Sequence, residues 1–140
     1  MKNTYSTNLN LQHVDIGLLI FRICIAGLML THGTPKLIKA FSGGEISFAD
    51  PLGLGEGVTF TFAVFAEFIC SVLIILGLGT RIAAIPLILT MAVVVFVVHL
   101  SDGFGRQELP LLYLMGFVLL FFTGGGKYSL DWYFLSRKKS

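Results

Sequence analysis

Four long apolar stretches dominate the hydrophobic pattern, at residues 14–30, 58–78, 82–100 and 109–123. None alternates with the period of two that marks a half-buried strand. A spanning helix needs about 20 residues. The second and third stretches qualify as they stand. The first reaches that length by running on through residues 31–38. The fourth has 15 residues and needs Glu108 and Pro110 in its first turn, where proline is tolerated. Lipid leaves only helices or closed barrels as spanning structures, so the pattern predicts an all-α, integral membrane four-helix bundle. One transmembrane domain, 1–140, is expected, with helices at about 14–38, 57–78, 81–100 and 108–123 and an interfacial segment at 129–139.

The connections differ in kind. Gly77-Leu78-Gly79-Thr80-Arg81 is short enough to make helices 2 and 3 antiparallel neighbours. Residues 41–56 form the longest loop, rich in glycine and carrying Glu45, Asp50 and Glu56. Gly124-Gly125-Gly126 ends helix 4, because glycine accepts the left-handed conformation of a helix stop. Ser129 then caps a short helix whose Trp132, Tyr133 and Phe134 match an interfacial aromatic belt, followed by Arg137, Lys138 and Lys139. Neither the triple glycine nor Gly53-Leu54-Gly55-Glu56-Gly57 has the strand–turn–helix setting or the lysine–serine pair of a nucleotide site, so both are read as turns.

Composition narrows the class. Of 140 residues, 55% are hydrophobic and 13% charged, against roughly 25% charged in a soluble domain. The mean hydropathy is +0.85. So short a chain could not bury this much apolar surface in a soluble core. Disorder, nucleic-acid binding and a water-soluble enzyme are excluded. The polar first 13 residues, with no small-x-small site after the first apolar run, predict that this run stays as a helix and is not cleaved as a signal. Cys24 and Cys70 both lie in apolar runs with no CxxC, so neither a disulfide framework nor a zinc signature is expected.

The net charge is only +2, and the placement of bases says more. With both termini on one side, that side holds six bases: Lys2, Arg81, Lys127, Arg137, Lys138 and Lys139. The other holds three: Lys36, Lys39 and Arg106. The positive-inside rule then predicts cytoplasmic termini.

Ionisable groups inside the spans are the informative ones, since each costs roughly 2.5–3.5 kcal/mol at mid-helix. Arg22 and Glu67 are the deepest. Arg22 lies about 6 Å from the centre of helix 1 at the helical rise, within reach of a bidentate pair with Glu67. Such a pair would lock helices 1 and 2. The alternatives are a proton or ligand site at mid-membrane, or two separately solvated groups. A second set lies near the outer face. His32 and Lys36 end helix 1, His99 ends helix 3 and Glu108 begins helix 4. Gly33 permits close approach, and Pro35 leaves the Thr31 carbonyl without its helical donor. The four groups form either a polar ligand or proton pocket, with Met29 and Met115 among its apolar walls and the 41–56 loop as its lid, or a set of interfacial side chains satisfied by water. Two histidines and a glutamate are also a permissible metal-ligand set, but no spacing makes it specific, so no metal is assigned. Helical angles place Arg22, Met29, Gly33 and Lys36 on one stripe of helix 1. They place Phe60, Ala63, Glu67, Ser71 and Ile74 on one of helix 2, and Glu108, Met115, Leu119 and Phe122 within about 40° on helix 4. Arg81 and His99 share a face of helix 3.

These residues, in this order, resemble the DoxX family of small bacterial four-helix membrane proteins. The matching pieces are Leu18-Leu19-Ile20-Phe21-Arg22 with His32-Gly33-Thr34-Pro35-Lys36-Leu37, then Glu67, then Leu76-Gly77-Leu78-Gly79-Thr80-Arg81-Ile82-Ala83-Ala84. His99, Glu108 and Gly124-Gly125-Gly126-Lys127-Tyr128-Ser129-Leu130-Asp131 complete them. The resemblance implies a bacterial inner-membrane protein. Family members and their wider relatives are linked to thiosulfate–quinone oxidoreduction, to membrane redox complexes with soluble partners and to chaperone-like roles. Two functions follow from different classes. One is a redox-associated subunit that holds a quinone or similar lipid-soluble ligand in the outer pocket formed by His32, Lys36, His99 and Glu108. The other is a non-catalytic accessory or assembly subunit of a larger complex. The implied partners are the lipid bilayer and a membrane or soluble redox protein, in a homo- or hetero-oligomer, with no nucleic acid.

Overall fold

A computed structural model describes residues 9–138, and every regular element among them is helical. Helix α1 is Leu11–Phe41, α2 is Glu56–Leu76, α3 is Thr80–Val98, α4 is Phe104–Thr123 and α5 is Leu130–Arg137. The first four are long and apolar enough to cross a membrane. At 31 residues, α1 is about 46 Å long and outruns a hydrocarbon core of about 30 Å. The bundle is dressed for lipid. Ile20, Leu28, Ile82, Leu112 and Phe122 all point outward, where water would penalise them and acyl chains do not.

Small residues set the packing. Ala26 and Met29 of α1, Ala66, Cys70 and Ile74 of α2, Ala83, Ala84, Leu87 and Met91 of α3, and Tyr113, Phe117 and Leu120 of α4 belong to one buried apolar cluster. Helix α1 lies on α2 and α3 on α4, with the middle of α2 against α3, whereas α1 touches α4 only lightly. At Gly33 the approach is backbone to backbone. A Cβ there would stand 2.6 Å from the carbonyl carbon and oxygen of Glu67.

Two helices are not regular throughout. Residues Phe65–Cys70 of α2 and Val94–Val98 of α3 take π-helical turns, which insert an extra residue into the ladder and recur at functional sites. Glu67 sits inside the first of them, next to the Gly33 contact.

The helix boundaries carry their own chemistry. Asn10 caps α1 by accepting from the Gln12 N–H. Helix α2 starts behind the Asp50 carboxylate, which accepts from the N–H groups of Leu54 and Gly55 and from the Thr59 hydroxyl. It stops at Gly77 (φ +69°) in a Schellman motif, with Leu78 N–H donating to Leu73 C=O and Gly77 N–H to Ile74 C=O. Asp131, more than 50 residues downstream, supplies the missing cap of α3: its carboxylate accepts from Gly79 N–H (2.6 Å) and Thr80 N–H (2.9 Å).

The fourth span begins four residues before the expected start at 108. Gly103 (φ +84°) makes the turn and α4 starts at Phe104. Pro110 therefore lies beyond the first turn, not in it as expected, and cannot donate to the Arg106 carbonyl. Lys2 and Lys139, two of the six bases counted on the terminal side, lie outside the described residues.

Candidate functional site

Arg22 is buried, but it does not reach Glu67. Its Nη1 donates to Gly125 C=O (2.6 Å) and its Nη2 to Tyr128 C=O (2.7 Å). The expected Arg22–Glu67 pair is corrected accordingly. The physical reason lies in the segment after α4. Three glycines let the backbone fold beneath the bundle with bare carbonyls facing inward, and a guanidinium fork can satisfy two of them at once. Side chains would not fit. A Cβ on Gly77 would fall 2.5 Å from Arg22 Nη1, and one on Gly125 would fall 2.7 Å from Ser129 Cβ. Asp15 adds a second tie, accepting from Lys127 N–H at 2.9 Å. Arg22, Asp15 and Asp131 thus bind the 124–131 segment to α1 and to the α2–α3 turn, and this end of the molecule is a structural lock.

Glu67 pairs instead with Lys36, whose ammonium extends back into the bundle from the opposite end. The Glu67 side chain is 5% exposed and that of Lys36 27%. The ion pair borders a cavity of about 150 Å³ to which all four spanning helices contribute. Helix α1 supplies Met29, His32 and Lys36, α2 supplies Glu67, and α3 supplies Met91 and Val94. Helix α4 closes it with Leu109, Pro110 and Tyr113. His32 stands edge-on to Tyr113, with ring centroids 6.0 Å apart at 88°. Both π-turns reach this wall, one through Glu67 and the other through Val94.

The 41–56 loop folds back toward the cavity. Lys39 Nζ donates to Ser47 C=O at 3.1 Å, and Phe48 stacks edge-on against Phe60. The Lys36 ammonium then lies 5.7 Å from the centre of the Phe48 ring, a distance at which the ring face attracts a cation. Asp50 holds the loop's exit, and the Gly55 N–H, followed by the Thr59 hydroxyl, lowers its carboxyl pKa below the ordinary range.

His99 and Glu108 do not join the cavity. The His99 Nδ1 lies 2.8 Å from Asp102 Oδ2, and its carbonyl accepts from Gln107 Nε2 at 2.7 Å. The His99 side-chain contact is the main cause that lowers the Asp102 carboxyl pKa. Glu108 is exposed. Helix α4 turns inward the stripe through Tyr113, Gly116, Phe117 and Leu120, on a different side of the helix from the one that carries Glu108 and Met115. Leu109, Pro110 and Tyr113 take the places expected for Glu108 and Met115, and Met115 points to lipid. The four-residue pocket is therefore corrected to His32, Lys36, Glu67 and Tyr113. Glu67 was placed with the wrong partner. Tyr113 was missed altogether, although a tyrosine inside a span signals a hydroxyl in need of a polar neighbour. Among the described residues, no three His, Cys, Asp or Glu side chains group closely enough to hold a metal ion.

Comparison with known proteins agrees with this architecture. The DoxX family model matches residues 17–100, which take in most of α1 and all of α2 and α3. An uncharacterized protein of Haemophilus influenzae is 35% identical over 125 residues, covering 81% of this chain and 87% of that relative. An uncharacterized membrane protein of Mycobacterium tuberculosis is 27% identical over 135 residues, covering 79% and 76%. No solved structure matches. With the family model spanning more than half of the chain and four apolar helices around a small polar centre, the protein is a multi-pass membrane protein of the DoxX family.

Proposed function

We propose that the protein is a redox-associated subunit that holds the head of a quinone-like, lipid-soluble ligand in the cavity between His32, Lys36, Glu67 and Tyr113. One observation carries the reading: an ion pair, an imidazole and a phenol share one small cavity inside a lipid-facing bundle. Burying a lysine and a glutamate among apolar helices is costly, and ionisable groups retained at such depth mark ligand or proton sites by default. The volume equals about five liquid waters, at roughly 30 Å³ each, which suits a single ring. A quinone carbonyl accepts hydrogen bonds, and Lys36 has donors beyond the one given to Glu67. His32 is exposed at the rim and is suited to exchanging protons with the surroundings. Electrons would come from a membrane or soluble redox protein partner.

The same reading places the chain in the bacterial inner membrane with both termini cytoplasmic. Arg81, Lys127, Arg137 and Lys138 lie at the end of the bundle that carries α5. At the other end Lys36 is drawn inward to Glu67, which leaves Lys39 and Arg106 and sharpens the base asymmetry. The test is extraction of the purified protein with organic solvent, followed by quantification of quinone per chain. The wild type is expected to retain quinone, and His32→Ala to lose it while keeping its helical content. Equal occupancy in the two, or none in either, would favour an accessory subunit whose polar centre only holds the helices together.

A further inference from the structure

Two walls of the cavity are shared. Leu109 and Tyr113 also border a second space of about 330 Å³, on the side where α1 and α4 touch only lightly. Phe21, Cys24, Ile25 and Leu28 of α1 line it, with Leu112 of α4 across from them. Apart from the Cys24 thiol and the Tyr113 hydroxyl, these side chains are hydrocarbon. From Leu28 to Phe21 the groove runs along α1 for about 10 Å at the helical rise, away from His32 and Lys36 and across the middle of the helix. Its lower end is closed where Gly116 admits Ile25. A Cβ on Gly116 would fall 2.0 Å from Ile25 Cδ1 and 3.2 Å from Phe21 Cζ. Its outer rim, Leu28 and Leu112, is more than half exposed and faces the bilayer.

We infer that this groove holds the apolar tail of the ligand whose head occupies the cavity, so that the ligand is a prenyl-tailed quinone entering sideways from the lipid between α1 and α4. The inference rests on the quinone-head reading above. Continuity is the first support: Tyr113 and Leu109 stand at the junction, polar cavity on one side and hydrocarbon groove on the other. Charge is the second. Among the described residues the one lysine or arginine on the cavity wall, Lys36, is already balanced by Glu67. A phosphate would be left without a counter-charge, whereas a neutral quinone head needs none. The arrangement also has the polarity of a bilayer leaflet, with the head near the end of α1 and the tail directed toward the membrane centre.

The experiment uses the full chain in lipid nanodiscs and two probes: tailless 2,3-dimethoxy-5,6-dimethyl-1,4-benzoquinone, whose ring has no open position for a thiol to add to, and the analogue in which two isoprene units replace one ring methyl. Leu112→Trp and Leu28→Trp fill the groove from its lipid-facing rim without touching the cavity. Lipid partitioning of the tailed probe is common to all samples and cancels in the comparison. The wild type should prefer the tailed probe, and each variant should lose about tenfold or more of that preference while binding the tailless head as before. Native Cys24 gives an independent reading. The tailed probe should protect it from N-ethylmaleimide and the tailless head should not, Cys70 being buried in the core. An unchanged tail preference in both variants, with Cys24 left unprotected, would overturn the groove while leaving the head site standing. Displacement of the tailed probe by phosphatidylglycerol would assign the groove to a phospholipid chain and overturn the inference. Failure of the wild type to bind either quinone would overturn the head reading and the groove together.

Discussion

Replacing Arg22 with methionine, singly and together with Glu67→Gln, separates the two ways of arranging the buried charges. The structure gives Arg22 two charge-assisted bonds to Gly125 and Tyr128, at 2.6 and 2.7 Å. Bonds of this kind are worth about 1.5–3 kcal/mol each, and removing a buried guanidinium returns part of its desolvation cost, so the net loss should be about 2–4 kcal/mol. The cost should fall on the terminal end of the bundle, where the 124–131 segment loses its anchor. Glu67→Gln acts elsewhere, on the pair with Lys36. The Arg22→Met and Glu67→Gln losses should therefore add to within about 0.5 kcal/mol, whereas Lys36→Met and Glu67→Gln should couple by about 1–3 kcal/mol. Reversible unfolding by titration with sodium dodecyl sulfate in mixed micelles, followed by far-ultraviolet circular dichroism, measures all six species. Coupling above about 1 kcal/mol between Arg22 and Glu67, with none between Lys36 and Glu67, would refute the assignment of partners.

Three further outcomes follow from the same geometry. Gly33→Ala puts a Cβ 2.6 Å from backbone atoms of Glu67 that cannot swing aside; it should cost about 1–3 kcal/mol by overpacking and weaken quinone binding, and unfolding at wild-type detergent would contradict the close approach. The Asp50 carboxyl is held low by the Gly55 N–H and the Thr59 hydroxyl, so its contribution is fully present above the ordinary carboxyl pKa of about 4 and is lost as pH falls through the lowered folded value. Amide exchange at Leu54 and Gly55, compared with Asp50→Asn at the same pH, should accelerate only in that acidic window, and a step near neutrality would exclude this cap as its source. Single cysteines at Ser47 and Asp102 should react with a membrane-impermeant maleimide added to intact cells, and one at Lys138 should not; the reverse pattern would invert the proposed topology.

Much of the bundle could be read from residue order alone, because each span must be apolar over its length and each turn carries its own glycine. The buried stripe of α2, Phe60, Ala63, Glu67, Ser71 and Ile74, was legible for a simple reason. Glu67 is the lone charge in that run, and the helical period picks out its neighbours. The same logic misled on α4. There Glu108 lies near the helix start and is exposed, and the stripe through Met115, Leu119 and Phe122 faces lipid. The inward face follows the tyrosine and the glycine, Tyr113 and Gly116, together with Phe117 and Leu120. Helix 3 repeats the lesson. Arg81 is exposed, while Ala84, Leu87 and Met91 are buried.

Partner choice was out of reach for another reason. Arg22 and Lys36 can each extend several ångströms along the membrane normal, so depth in the helix does not decide which of them meets Glu67. Backbone carbonyls released by Gly124–Gly126 decide it, and they belong to a segment a hundred residues away. The π-turns at Glu67 and Val94 leave no mark that the hydrophobic period detects, since one inserted residue shifts a helical face without interrupting an apolar run.

The most direct test of the proposed ligand site is photo-crosslinking with a benzoquinone that carries a diazirine close to its ring, applied to the protein in native membranes and mapped by peptide mass spectrometry. The account predicts adducts within residues 29–36 of α1 and 109–113 of α4, suppressed by excess unlabelled quinone and lost in Lys36→Met with Glu67→Gln. Adducts spread over the lipid-facing side chains, or centred on His99 and Glu108, and unaffected by competitor, would contradict it.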